Sequence, residues 1–370
     1  MKTTKFKNLF FATMLLGGMV AFYSCDDDDN EPLSRNEAEE LLTQTDGEVA
    51  DITGEAMNSD GIKVVMQLSS MGMPEIPDKT VRVAPRLMFK SSEQMDRASA
   101  TVLESSISPE LAKAFEKVIS YGISDYEGIW TWTPNGWSFE PSSSHTVVLK
   151  FPYPVENSTN NATLTLYDYQ TTIIEDYEEI TALKAKIELN GVQVLSLTFS
   201  ASYTPAESYD LSVKFGNFQL TAAVDYTLVG TFDTYEYYSL SNLEVVFKQG
   251  NATVFSLDVN LDINMLSEDN SSVKVNATLI IKSLKLKVDA DFETQDLDFE
   301  TNPDLDLNQF ISIELFTTSG NRIGHFSIEF NPSTGETTVY FIFEDGTQVN
   351  AEELMPQLAD YIQNLYEEYF

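Results

Sequence analysis

Cysteine is almost absent from this chain, since Cys25 is the only one among 370 residues. No internal disulfide can form, so an ordinary hydrophobic core must stabilise the fold. Histidine is nearly as scarce, with only His145 and His325. Zinc sites take three or four Cys, His or carboxylate ligands. Two histidines and one cysteine near the N-terminus therefore argue against a zinc site.

Basic residues are also few: 22 Lys and Arg stand against 58 Asp and Glu, which gives a formal net charge of -36. Such a chain repels phosphate backbones, so nucleic acid is excluded as a partner. The hydrophobic fraction is 42%. That fraction is too high for a disordered chain and indicates a folded domain with a sizeable core.

Signals for catalysis are missing as well. The sequence contains no Gly-x-Ser-x-Gly segment, which argues against a serine hydrolase of that type. Adjacent carboxylates such as Glu178 and Glu179 point to opposite sides of a strand, whereas glycosidase chemistry needs two carboxyl groups that converge on one bond. We predict no enzymatic activity and no cofactor.

The N-terminus carries an export signal. Lys2, Lys5 and Lys7 precede an uncharged apolar run from Leu9 to Phe22, which is shorter than the roughly 20 residues of a membrane-spanning helix. A basic start, a short apolar run and small residues at its end are typical of a secretory signal peptide. We predict a signal peptide over residues 1–24.

The segment Ala21-Phe22-Tyr23-Ser24-Cys25 resembles the lipobox of bacterial lipoproteins, although Phe22 stands where an aliphatic residue is usual. Asp26, Asp27, Asp28 and Asp29 follow, and they resemble the acidic surface-export signal of Bacteroidota lipoproteins. The resemblance implies cleavage before Cys25, lipid on its sulfur and a tether over residues 25–33. It implies an outer-membrane protein at the cell surface, with a periplasm-facing one as the alternative. The acidic run also has a simpler explanation as a solvated spacer.

The rest of the chain is predicted to be mainly β. From residue 128 onward, apolar and polar residues alternate in short segments, separated by turns such as Pro134-Asn135-Gly136, Asn190-Gly191 and Ser319-Gly320. This pattern favours a long antiparallel meander, as a curved sheet or half-barrel. We expect one domain over 34–370, with a soft boundary near 128.

A few other elements are predicted outside the sheet. The capping-box spacing of Ser34 and Glu37 predicts a helix over Ser34–Thr43, and the apolar run Ile62–Leu68 predicts a strand. Ser108-Pro109 opens a further helix. An apolar residue every three or four positions predicts an amphipathic helix from Ala351 to about Tyr369. A sheet with helices on one face resembles, in architecture only, half-barrel carriers of lipids and lipoproteins.

All three tryptophans, Trp130, Trp132 and Trp137, lie in one predicted hairpin. Trp130 and Trp132 share a face by strand alternation. If exposed, the rings would form a platform on which sugar rings stack. If buried, they are a large part of the core, which is the commoner outcome.

An acidic stretch near residue 290 offers a weak calcium site, with Asp289, Asp291, Asp296 and Asp298 as the candidate ligands. The sharp-turn glycine of calcium loops is missing there, and a solvated sheet face is the commoner outcome. The leading functional expectation is a non-catalytic binding or scaffolding protein, with the lipid anchor as its membrane partner. The alternatives are a lipid or lipoprotein carrier and a glycan-binding protein that uses the Trp130–Trp137 hairpin. The ligand could thus be a glycan, a lipid or a protein.

Overall fold

The computed structural model describes residues 32–71, 74, 123–174, 177–204, 206–232, 235–267, 270–293, 306–331 and 336–354. Several sequence predictions fall outside these residues: Cys25, Asp26, Asp27, Asp28, Asp29, the helix that begins at Ser108, Asp296, Asp298 and the C-terminal helix beyond residue 354. At Ala351–Glu353 the described chain forms a short 3-10 helix.

The chain is mainly β, as the sequence predicts. The described residues form a sheet of 16 strands. The strands are β1 Gly128–Thr133, β2 Gly136–Glu140, β3 Val147–Phe151, β4 Ala162–Ile174, β5 Tyr177–Leu189, β6 Val192–Ser202, β7 Ser208–Phe215, β8 Phe218–Phe232, β9 Tyr235–Gln249, β10 Ala252–Ser267, β11 Asn270–Ile281, β12 Leu284–Glu293, β13 Ile311–Thr317, β14 Arg322–Asn331, β15 Glu336–Phe343 and β16 Gln348–Asn350.

The strand order confirms the meander. From β3 to β16 each strand lies beside its neighbour in sequence, and the sheet ends at β16 on one edge and at β2 on the other. The exception is β1, which lies between β2 and β3 and pairs with β3 in parallel. The hairpin of β1 and β2 therefore forms one edge of the sheet.

Contacts within the chain define two compact units. The first unit comprises Met1–Thr53 with Val224–Phe370, and the second comprises Gly54–Ala223. The single domain over 34–370 with a soft boundary near 128 stays a prediction. Each unit has its own core.

In the second unit, one apolar row crosses five strands in register. It joins cross-strand partners that all lie on the buried face, namely Leu149, Leu164, Ile187, Leu195 and Phe215. Residues between them in sequence, such as Lys186 and Ser196, lie on the opposite face. One buried and one polar face is the usual arrangement of an antiparallel sheet.

The first unit repeats this arrangement. Its buried row is formed by residues that face one another on successive strands, namely Val245, Leu257, Leu279, Leu286, Leu315, Gly324 and Phe343. The opposite face carries polar partners such as Asn260 and Asn276. The period-two alternation visible in the sequence therefore corresponds to a buried and a solvated face.

The first helix, α1, spans Arg35–Met57 and is longer than the predicted Ser34–Thr43. Its start is as predicted, because the backbone N–H of Ser34 donates to Glu37 Oε2 at 3.1 Å. The helix continues past Thr43 because a buried stripe continues at helical spacing. The stripe comprises Ala38, Leu42, Thr45, Val49, Ile52 and Ala56.

The second helix, α2, spans Asp60–Met71, so the predicted strand over Ile62–Leu68 is wrong. Its buried residues, Gly61, Ile62, Val64, Val65 and Leu68, follow the spacing of one helical face. The helix approaches β6 and β7 closely at Gly61. A Cβ there would lie 2.6 Å from the carbonyl oxygen of Val194 and 3.0 Å from Cβ of Phe215.

Candidate functional site

The aromatic residues that the sequence singles out lie on one face of the β1–β2 hairpin. The register pairs Trp130 with Phe139 and Trp132 with Trp137. Directly opposite residues of an antiparallel pair project to the same side and interact. The ring centroids are 4.6 Å apart in the first pair and 5.3 Å apart in the second. Four aromatic side chains thus form a ladder along an edge of the sheet, which we call the aromatic hairpin.

The turn of the aromatic hairpin is held by local hydrogen bonds. The Thr133 hydroxyl donates to the carbonyl oxygen of Gly136 at 2.7 Å, and the backbone N–H of Asn135 donates to that hydroxyl at 3.3 Å. Gly136 has a φ of 99°, in the left-handed region that favours glycine. These contacts fix the turn-side pair of tryptophans relative to each other.

The inner end of the aromatic hairpin belongs to the core. Trp130 is only 6% exposed, and its indole N–H donates to the backbone oxygen of Tyr126 at 3.0 Å. The Tyr126 ring, fully buried, lies 6.2 Å from the Trp130 ring. Trp130 therefore cannot be part of an exposed platform, and its role is packing.

The outer end of the aromatic hairpin reaches solvent. Trp132 and Trp137 are half-buried, and their rings meet edge to face at an interplanar angle of 79°. Phe139, which pairs with Trp130 at the inner end, is also accessible, with 50% of its surface exposed. The Asn160 side chain donates to the backbone oxygen of Trp132 at 2.9 Å and joins the loop between β3 and β4 to the hairpin. The two indole rings therefore form an L-shaped arrangement, which differs from a single flat platform.

A polar cluster lies where β1 begins. The Tyr169 hydroxyl donates to Glu127 Oε1, and Nδ1 of His145 lies 3.2 Å from Glu127 Oε2. The hydrogen bond from Tyr169 lowers the pKa of Glu127 and outweighs its partial burial, with a smaller contribution from His145. His145 itself is largely exposed. A carboxylate held ionised in this way is a hydrogen-bond acceptor rather than a proton donor.

The structure describes two of the four candidate calcium ligands, Asp289 and Asp291. Asp291 is exposed and forms an ion pair with Lys274 at 2.7 Å. The Asp291 carboxylate raises the pKa of Lys274. Asp289 lies between Asn276 and Ser312 on the polar face. Within the part of the chain that the structure describes, no group of three or more His, Cys, Asp or Glu residues could hold a metal ion. Because Asp296 and Asp298 lie outside that part, the calcium site stays a prediction.

The two histidines of the chain belong to different units. His145 lies in the second unit and His325 on β14 of the first. The described residues include no helix that is both long and apolar enough to cross a bilayer. Sequence analysis did not identify Tyr126, Asn160 or the cluster of Glu127, His145 and Tyr169. Alternation along β2 could have found Phe139, whereas the contacts of Asn160 depend on a loop with no local signal.

Comparison with models of protein families, with curated proteins and with solved structures finds no match to this chain.

Proposed function

We propose that this protein is a lipid-anchored lipoprotein of the outer membrane that faces the cell exterior and has a non-catalytic binding role. The anchor is the acylated Cys25, and the segment Asp26–Asp29 directs the protein outward. Support comes from the basic and apolar N-terminal segment that ends at the only cysteine of the chain. Cleavage there removes three lysines and no acidic residue, so the mature charge is -39.

Changing Cys25→Ser should release the protein from the membrane fraction. Acyl chains hold a protein to the bilayer by about 0.8 kcal/mol per buried methylene, and no second cysteine can replace this one. The measurement is fractionation of cells that express the full precursor, together with the intact mass of the detergent-extracted protein. A Cys25→Ser protein that still sediments with membranes, or an extracted mass without acyl chains, would contradict the anchor.

For the ligand we propose a glycan, held at the outer end of the aromatic hairpin. The observation that carries this proposal is the pairing of two half-buried tryptophans, Trp132 and Trp137, at an edge of the sheet. An indole face accommodates the C–H face of a sugar ring, and nearby polar groups can bond its hydroxyls. Asn160 and Thr133 place an amide and a hydroxyl group at the same end of the hairpin, where each bonds a backbone oxygen.

The lipid-carrier alternative receives less support. Its ligand would have to reach the apolar face of the sheet, and the residues of that face are buried. Leu195 and Leu279, for example, are each 1% exposed. Among the described large hydrophobic residues with high exposure, the aromatic one is Phe139 in the hairpin, at 50%.

Replacing Trp132 or Trp137 with alanine should weaken retention by a bound polysaccharide about tenfold, which corresponds to roughly 1.4 kcal/mol. The measurement is affinity electrophoresis of the mature chain through gels that each contain one polysaccharide. Trp137→Tyr is the matched control, because it keeps a ring for stacking, and should retain most of the binding. Each variant's unfolding midpoint is checked in parallel. Alanine variants that fold and bind as the parent does would refute this site.

A further inference from the structure

The N-terminal end of the described chain is fixed to one end of the first unit's sheet. The backbone N–H of Leu33 donates to the carbonyl oxygen of Arg322 at 3.1 Å. The Arg35 guanidinium lies 5.5 Å from the centroid of the Phe343 ring. Arg322 begins β14 and Phe343 ends β15. Residues 33–35 therefore lie beside the start of β14 and the end of β15.

Several tight connections of the first unit lie at this same end, because alternate hairpins of a meander turn on the same side. We call it the turn end. It comprises the turns at Gly250-Asn251, Lys282-Ser283, Thr318–Asn321 and Glu344–Thr347. Helix α1 contacts it too, since the Thr45 hydroxyl lies 3.3 Å from the Ser283 hydroxyl. The opposite ends of the strands form the far end.

The tether to Cys25 is short. Leu33 follows Cys25 by eight residues, and eight residues can span at most about 29 Å even when fully extended. Asn264 on β10 is 12 residues beyond the start of that strand at the turn end, which places it roughly 40 Å farther along the sheet. An anchored Cys25 therefore holds the turn end closer to the bilayer than the far end.

The charge distribution favours the same orientation. Between residues 224 and 354 the sequence holds six basic residues, and five of them lie in or next to the turn end: Lys248, Lys282, Lys285, Lys287 and Arg322. Carboxylates balance several of them, as Glu314 and Glu344 do for Arg322. Beyond this region the same stretch of sequence holds one basic residue, Lys274, which pairs with Asp291, against carboxylates such as Asp262 and Glu293. An anionic lipid surface repels the far end more strongly than the turn end.

We propose that the turn end of the first unit faces an anionic membrane surface and that the far end points away from it. This inference rests on the proposed acylation of Cys25. It adds an orientation, because an anchor on a long tether would permit the domain to present any side, whereas this tether is short. Two independent features select the turn end: the fixed exit of the chain at Arg322 and the concentration of basic residues there.

Fluorescence energy transfer to labelled lipid tests the orientation. Thr318→Cys places a donor on an exposed residue of the turn end, and Asn264→Cys places one on an exposed residue towards the far end. Because acylated Cys25 has no free thiol, each variant of the full lipidated protein takes one label. The lipidated protein is reconstituted in vesicles of phosphatidylglycerol and phosphatidylcholine that carry an acceptor lipid.

Transfer from position 318 should exceed transfer from position 264 several-fold. Equal transfer, or greater transfer from position 264, would overturn the orientation while the protein still floats with the vesicles. A protein that fails to float overturns the anchor as well, and flotation is scored before any fluorescence is measured. The two failures are thus distinct. Charge reversal at Lys285→Glu with Lys248→Glu should narrow the difference between the two labels, and an unchanged ratio would contradict the electrostatic part.

Discussion

Replacing Trp130 with alanine is expected to lower the free energy of unfolding by about 3–5 kcal/mol. The side chain is 6% exposed and lies between Phe139 and the buried Tyr126. Its loss would leave a cavity as well as the Tyr126 carbonyl oxygen without the indole donor. Urea denaturation of the mature chain, followed by circular dichroism, measures the change.

Trp132→Ala is the matched control for this experiment, since it removes the same side chain from the same strand. Trp132 is half-buried, so less of its apolar surface leaves water on folding. Its replacement should therefore lower the free energy of unfolding clearly less than Trp130→Ala does. If both substitutions destabilised the protein equally, the division of the aromatic hairpin into a core end and a solvent end would be untenable. A Trp130→Ala cost below about 1 kcal/mol would contradict the burial directly.

Replacing Gly61 with alanine should destabilise the protein by about 1–3 kcal/mol, even though alanine is the better helix former. The new Cβ would lie 2.6 Å from the Val194 carbonyl oxygen, a backbone atom that cannot rotate away. Helix α2 would have to move from β6. The change in the free energy of unfolding is measured by urea denaturation.

Gly54→Ala, in the same unit, is expected to have the opposite effect on the free energy of unfolding. A Cβ at Gly54, within α1, would meet nothing within 4 Å. Alanine should therefore stabilise the helix by about 0.5–1 kcal/mol through its lower conformational freedom in the unfolded chain. Were Gly61→Ala also stabilising, the close approach of α2 to β6 would have to be rejected.

The sheet could be predicted from the sequence because local sequence patterns specify its strands and turns. Alternation within each strand and turns such as Asn190-Gly191 recur along the chain, and each strand from β4 onward pairs with its immediate successor. No long-range pairing had to be deduced. The parallel pairing of β1 with β3 could not be deduced, since nothing in Val147–Phe151 specifies that it bypasses β2.

Helix α2 shows where local information is ambiguous. The β-branched Val64 and Val65 favour a strand, and a short apolar run alone does not distinguish a strand from a buried helix. The spacing of Gly61, Val64, Val65 and Leu68 is helical and was present in the sequence. Packing on β6 and β7 favours the helix over the strand. Gly61 lets the helix backbone approach both strands closely.

The candidate site was predicted only in part for a related reason. Alternation correctly places Trp130 and Trp132 on one face, but it does not indicate how deeply each ring is buried. Whether a ring is covered depends on the preceding segment, where Tyr126 packs on Trp130. The polar cluster at Glu127 joins residues from three separate segments, and no spacing in the sequence relates them.

The connectivity of the sheet also sets an order for folding. Strands β4 to β16 each need only the preceding strand as a template, so a chain that emerges N-terminus first can add them one after another with small loop-closure cost. Helix α1 is different, because its Thr45 meets Ser283, 238 residues later. Helix α1 precedes the whole sheet in the sequence, and it must therefore wait for β11 and β12 before this contact can form. Until then its apolar stripe needs shielding, and the growing sheet edge is the surface most open to aggregation.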